Sequence, residues 1–138
     1  MQIVHVVGAR PNFMKAAAVI RGLAEFGACQ QALVHTGQHY DYLMSEVFFE
    51  DLGIPRPDYH LEIGSGPHGK QTGLMMAGIE GVIEEEAPDC LLVFGDTNST
   101  LAAALAAAKL HVPVAHVEAG LRSGNKRMPE EINRMVTD

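Results

Sequence analysis

The sequence predicts an α/β fold: a Rossmann-like parallel sheet with helices on both faces. Short apolar runs rich in β-branched residues alternate along the chain with longer stretches of helical periodicity. The short runs are apolar almost throughout, as strands buried on both faces are. Several end in glycine before the next helical pattern begins. The 138 residues, 47% hydrophobic and 20% charged, are enough for one domain with a substantial core.

Residues 3–7 read as a buried strand closed by Gly8. Phe13, Ala16, Ala17, Ile20, Leu23 and Ala24 follow at helical spacing, opposite Lys15, Arg21 and Glu25, and Gly27 ends that helix. Residues 32–36 form a second strand, closed by Gly37. A helix from about Asp41 groups Met44, Val47, Phe48 and Leu52 and stops at Gly53 and Pro55. Residues 56–69, rich in Pro and Gly, are expected to be mostly loop. A long helix then buries Thr72, Met75, Met76, Ile79 and Ile83. Glu84, Glu85 and Glu86 oppose the macrodipole at its end, which is expected to fray into water. Residues 91–94 are a strand, and an Ala-rich helix at 101–109 has side chains small enough for close packing. Residues 112–117 are a further strand with Pro113 at its start. A polar, turn-rich stretch at 118–128 leads to Pro129, suited to the first position of a final helix.

Ten basic against 17 acidic residues give a net charge of −7. That argues against non-specific binding of nucleic acid or anionic membranes, which needs a basic face. Trp is absent and aromatics are 6% of the chain, so base-stacking platforms are not expected. No apolar run is long enough to cross a bilayer, and the N-terminus carries no secretion signal. Cys29 and Cys90 each begin an apolar run without ligand-like spacing, and read as buried, reduced thiols of a cytoplasmic protein. The seven histidines form no H-E-x-x-H motif, and no metal site is expected.

Parallel sheets of this kind bind ligands at the carboxyl ends of their strands. Three clusters fall there: Gly8-Ala9-Arg10-Pro11, Gly95-Asp96-Thr97 and Glu118-Ala119-Gly120-Leu121-Arg122. Arg10 at a helix start, with Lys15 one turn on, suits a phosphate, although an ordinary strand–helix turn has the same form. Thr97, Asn98 and Ser99 can cap the next helix, which leaves Asp96 available for chemistry. Glu118 directly follows an apolar strand and is costly to bury unless partnered or used. Glu130 and Glu131 sit where the helix dipole favours acids, and Arg134 is spaced to pair with either. His5, His35 and His116 read as hydrogen-bonded structural residues. His68 lies in the glycine-rich segment 64–69, a loop that would be solvated or would close on a ligand.

Taken in order, these clusters resemble the N-terminal half of the non-hydrolysing UDP-N-acetylglucosamine 2-epimerases. The matching motifs are Gly8-Ala9-Arg10-Pro11, Thr36-Gly37-Gln38-His39, Gly95-Asp96-Thr97, His116-Val117-Glu118-Ala119-Gly120-Leu121-Arg122 and Pro129-Glu130-Glu131-Ile132-Asn133-Arg134. Residues 35–41, with Met128-Pro129-Glu130-Glu131, also resemble a neighbouring subgroup. That subgroup epimerises UDP-2,3-diacetamido-2,3-dideoxyglucuronate at the same carbon. The resemblance implies a two-domain fold of the glycosyltransferase-B type with substrate in the cleft. Residues 1–138 would be its N-terminal domain, with a UDP-binding domain beyond them, and the isolated domain would be inactive.

The implied reaction is inversion at C2 of a UDP-2-acetamido sugar, UDP-GlcNAc to UDP-ManNAc. UDP leaves across C1–C2 to give a glycal and is re-added with protonation of the opposite face. The diacetamidoglucuronate reaction, or that of a hydrolysing or glycosyltransferase-B relative, is the alternative. By motif match Asp96, Glu118 and Glu130 resemble the catalytic carboxylates, and Arg10, Lys15 and Arg134 the substrate-contacting cations. Removing a weakly acidic C2–H needs a positioned base, inversion needs a second acid–base group, and oxocarbenium character at C1 is stabilised by a carboxylate. This route calls for no metal and no redox cofactor. A UDP-sugar is the implied partner, and a cytoplasmic homodimer the implied state of the full-length protein. Two departures stand out. Asn12 replaces a glutamate common in bacterial members. Tyr40 replaces an arginine in the segment that helps regulated members bind an activating UDP-GlcNAc, so hyperbolic kinetics are expected.

Overall fold

The computed structural model describes residues 1–38, 49–51, 53 and 56–138. Its elements are β1 (Gln2–Val7), α1 (Arg10–Phe26), β2 (Gln30–His35), β3 (Tyr59–His60), α2 (His68–Glu86), β4 (Cys90–Phe94), α3 (Asn98–Lys109), β5 (Val114–Val117) and α4 (Pro129–Thr137). Of the helix expected from Asp41, residues 49–51 are described and helical, whereas Met44, Val47, Phe48 and Leu52 lie outside the described residues, as do His39 and Tyr40.

All strand pairs are parallel, and the sheet order is β3-β2-β1-β4-β5. Side-chain alternation along β1 divides the core in two. Val4 and Val6 pack with Met75, Ile79, Val82 and Ile83 of α2 and the alanines of α3. Ile3 and Val7 pack on the other face with Phe13, Ala16, Ala17 and Ile20 of α1. The sheet is thus covered on both faces, as the apolar runs predict. Ala102, Ala103, Ala106 and Ala107 are all buried; their small side chains bring α3 close to the sheet and to α2.

Local expectations are refined or corrected at several points. Segment 56–69 is mostly loop, as expected, but Tyr59 and His60 within it pair with Val34 and His35 as an edge strand. Two residues are too few to show periodicity, and the pairing is set by Asp58, whose carboxylate accepts from the Leu33 N–H at 2.8 Å. His68 is the first residue of α2, not part of a loop. The α2 end does not fray. Ala87 closes it in the left-handed region at φ 43°, and Glu86 accepts hydrogen bonds from the Gln2 amide and, at 2.7 Å, from the Tyr59 hydroxyl. On α2, Thr72 and Met76 are only half-buried, whereas Gln71 and Val82 are buried. Cys29 and Cys90 are free and likewise half-buried.

The chain leaves β1 for α1 on one face, and the neighbouring β4 for α3 on the other. Between their carboxyl ends opens the crevice where doubly wound sheets place ligands.

Candidate active site

The tips of β1, β2 and β4 are drawn tightly together. A Cβ at Gly8 would lie 2.0 Å from Ser99 Oγ and 2.4 Å from Thr36 Oγ1, so only glycine fits. Ser99 donates from its backbone N–H and its hydroxyl to Gln38 Oε1, at 3.1 and 2.6 Å. Asn12, 2% exposed, donates to the Phe94 carbonyl at 2.9 Å, a bond that requires an amide and not a carboxylate. Thr97 caps α3 in a reciprocal capping box with Thr100. Asp96 is therefore not the cap, and its carboxylate is turned elsewhere.

That carboxylate meets Arg134. Arg134 Nε and Nη2 lie 3.0 and 2.9 Å from Asp96 Oδ2. The same guanidinium donates to the Glu118 backbone carbonyl at 3.0 Å and stands 3.5 Å from the Glu118 carboxylate. Lys15, reaching across from α1, donates to Glu118 Oε2 at 2.6 Å. The result is an alternating chain, Lys15–Glu118–Arg134–Asp96, that joins the ends of β4 and β5 to α1 and α4. The Lys15 ammonium holds the Glu118 carboxyl below the usual range, with Arg134 assisting against the upward push of burial. Glu118 also has φ +78°, an uncommon conformation for a residue with a side chain. A local cost of roughly 1–3 kcal/mol is typical of functional sites.

The intrahelical pairing expected of Arg134 is absent: its contacts are with Asp96 and Glu118. Glu131, 4% exposed, accepts instead from the Ser123 N–H and hydroxyl and the Gly124 N–H at 2.8, 2.9 and 3.1 Å. Those bonds hold its carboxyl below the usual range and pin the 118–124 loop to α4. Glu130 makes no ion pair among the described residues and faces the crevice. A cavity of about 460 Å³ is lined by Arg10, Gln38, His68, Asp96, Glu130 and Asn133, among others. A smaller one, about 230 Å³, joins Asp96 and Glu130 to Arg134 and Arg122. Four of the six sequence-predicted site residues, Arg10, Asp96, Glu130 and Arg134, thus line the cavities, and Glu118 reaches Asp96 through Arg134. Lys15 is linked through Glu118, and neither Lys15 nor Glu118 lines either cavity.

The structural histidines behave as expected. His5 bonds Gln31 at 2.8 Å, and His35 Nδ1 accepts from the Gly37 N–H at 2.9 Å. His116 joins the Gly95 carbonyl at 2.7 Å to the Asp138 carboxylate at 2.5 Å, which Arg122 and the Gly120 N–H also contact. His68, left open in the sequence between a solvated loop and a ligand contact, lines the cavity, and missed from the sequence are the amide side chains of Gln71, Asn98 and Asn133 beside it. Among the described residues no group of three or more His, Cys, Asp or Glu side chains is arranged to hold a metal ion. No described helix is long and apolar enough to cross a membrane.

A family model described as UDP-N-acetylglucosamine 2-epimerase matches residues 21–138. The chain belongs to this family. A UDP-2,3-diacetamido-2,3-dideoxy-D-glucuronate 2-epimerase of Pseudomonas aeruginosa is 60% identical over 138 residues, covering 100% of this chain and 39% of that protein. A UDP-N-acetylglucosamine 2-epimerase of Methanocaldococcus jannaschii is 50% identical, with 100% and 37% covered. The crystal structure of the M. jannaschii UDP-GlcNAc 2-epimerase in complex with UDP-GlcNAc and UDP superposes with a TM-score of 0.95 at 51% identity, over 100% of this chain and 38% of that one. The chain therefore spans under two-fifths of the length of the epimerases it matches. Its five-stranded parallel sheet is the fold of the corresponding part of those 2-epimerases, and the fold class read from the sequence stands.

Proposed function

We propose that the full-length protein inverts C2 of a UDP-2-acetamido sugar, UDP-GlcNAc to UDP-ManNAc, by elimination and re-addition of UDP. The observation that carries this reading is the Arg134 bridge: one guanidinium holds Asp96 and Glu118 together at the sheet edge, and Asp96 shares a cavity with Glu130. Two carboxylates on one cavity, with a third joined to them through Arg134, match a reaction needing a base on one face of C2, an acid on the other and negative charge near C1. Glu118, kept ionised by Lys15, suits charge stabilisation or proton removal. Arg10 and Lys15 supply positive charge for the leaving diphosphate, and Arg134 does so once substrate competes with its present partners. Residues 1–138 act as the N-terminal domain of a glycosyltransferase-B type enzyme, and the additional length seen in relatives supplies most of the UDP site. The full-length enzyme works as a cytoplasmic homodimer.

A second reading, epimerisation of UDP-2,3-diacetamido-2,3-dideoxyglucuronate, is favoured by the 60% identity to the P. aeruginosa enzyme, against 50% to the M. jannaschii one. NMR of the full-length protein in D₂O with each sugar nucleotide tests the class and the substrate together. Deuterium is expected at C2 of the epimer without stoichiometric free UDP. Accumulating UDP with no label at C2 would make the protein a hydrolase or transferase instead.

A further inference from the structure

Four polar side chains in and behind the cavity wall fix one another's orientation, and the chain of constraints ends at His68. Gln71 Nε2 donates to two backbone carbonyls, Gly64 at 2.7 Å and Gln38 at 3.3 Å. A backbone carbonyl only accepts, so the amide of Gln71 has one permitted orientation, and its Oε1 faces Asn98. Asn98 must then present Nδ2, which lies 2.9 Å from that oxygen. A second route reaches the same result independently. Asn133 Nδ2 donates to the Asp96 carbonyl at 2.8 Å and to Asn98 Oδ1 at 3.2 Å. Asn98 Oδ1 is therefore the acceptor and Nδ2 the donor. Gln71, Asn98 and Asn133 are 7%, 6% and 5% exposed, so water does not relax these choices.

The second hydrogen of Asn98 Nδ2 points to His68 Nδ1, 3.0 Å away. His68 Nδ1 must accept it. With Nδ1 accepting, the ring carries its N–H on Nε2, the nitrogen facing away from Asn98. The ring lines the same cavity as Arg10, Asp96 and Glu130, and Nε2 has no hydrogen-bond partner among the described residues. We infer that His68 is a substrate-binding residue whose Nε2–H, preset by the Gln71–Asn98–Asn133 amides, donates to an acceptor oxygen of the sugar nucleotide. This deepens the proposed epimerase reading and rests on it. The acceptor chemistry is a carbonyl, phosphate or carboxylate oxygen. The relay also couples His68 to the Asp96 backbone through Asn133, so the binding group and the carboxylate share one framework.

Two measurements on the full-length protein test this. The first is the ¹⁵N imidazole spectrum of His68 with and without each sugar nucleotide. A protonated Nε2 and an unprotonated Nδ1 are expected, with the Nε2–H resonance moving on addition of sugar nucleotide. A proton on Nδ1, or no movement with either sugar nucleotide, overturns the inference. This readout does not require turnover, so it separates the His68 assignment from failure of the epimerase reading, which an absence of C2 exchange in the unaltered enzyme would expose. The second is kinetic. His68→Ala should raise KM about tenfold with kcat little changed, the sign of a contact made equally in ground and transition states. His68→Gln, which keeps a donor near the Nε2 position, should recover part of the loss. Equal effects with UDP-GlcNAc and the diacetamidoglucuronate nucleotide assign the acceptor to the diphosphate or 2-acetamido group they share. An effect confined to the uronate assigns it to the sugar carboxylate. An unchanged KM with whichever nucleotide the enzyme turns over overturns the inference.

Discussion

Arg134 illustrates how one residue was half legible. Its spacing from Glu130 and Glu131 predicts an intrahelical pair, but such exposed pairs contribute only about 0.2–0.5 kcal/mol. In the fold the guanidinium finds Asp96, 38 residues away in sequence, through two nitrogens. Charge-assisted bonds in a partly buried site outweigh the local pair. Asp96 itself was legible, because the hydroxyls after it supply the cap and leave its carboxylate to spare. Asp96→Asn and Glu118→Gln in the full-length enzyme should each lower kcat by about 10²–10⁴-fold with an unaltered circular-dichroism melt. Retained turnover in either variant removes that residue from the chemistry. Gly8→Ala should act on stability instead. Its methyl would lie 2.0 Å from Ser99 Oγ, and overpacking of this kind costs roughly 1–3 kcal/mol. A melting temperature equal to that of the unaltered protein would show that Ser99 yields without strain.

Elements were legible where periodicity ran long enough. β1, α1, β4 and α3 follow from apolar runs and helical spacing, with shifts of a few residues at their ends. β3 was not legible, because two residues carry no period and their pairing depends on Asp58 meeting Leu33. The intact end of α2 was not legible either: a dipole argument alone predicts fraying, and the stabilising partners, Gln2 and Tyr59, come from distant strands. Two element ends carry pH dependence. At the end of β2, burial, aided by the charge of His60, lowers His35 to about 4 from its ordinary 6.5. The unfolded chain binds the proton more readily, so this contribution is complete above pH 6.5 and is lost as pH falls toward 4. After α4, burial pushes Asp138 up, but the Gly120 N–H, Arg122 and His116 outweigh it and bring it to about 2 from 3.8. Its contribution is present above pH 3.8 and is lost between there and pH 2. Thermal midpoints should therefore decline in two stages. His35→Asn should flatten the first and Asp138→Asn the second; a profile unchanged by either substitution contradicts these assignments.

For the molecule as a whole, the order β3-β2-β1-β4-β5 decides where chemistry can occur. Strand–helix alternation predicts a parallel sheet, and the reversal of strand order beside β1 opens the crevice at its carboxyl edge. Asp96 and Glu130 line one cavity there, and Arg134 links Asp96 to Glu118, although the three are far apart in sequence. The crevice at the carboxyl edge was legible from the alternation of strands and helices, whereas the pairing of the buried amides Gln71, Asn98 and Asn133 was not, since their partners are set only by tertiary packing. The chain spans 39% of its P. aeruginosa relative, so residues 1–138 alone should bind UDP weakly or not at all by calorimetry and should not turn over either sugar nucleotide. Robust epimerisation by this segment alone would contradict a cleft shared between two domains. The most direct measurement is a crystal structure of the full-length protein with its UDP-sugar bound. C2 of the pyranose should lie within reach of the carboxylates of Asp96, Glu118 and Glu130, with groups on both ring faces and at least one at about 3 Å. A ring seated away from these side chains, in an intact complex, would contradict their shared role.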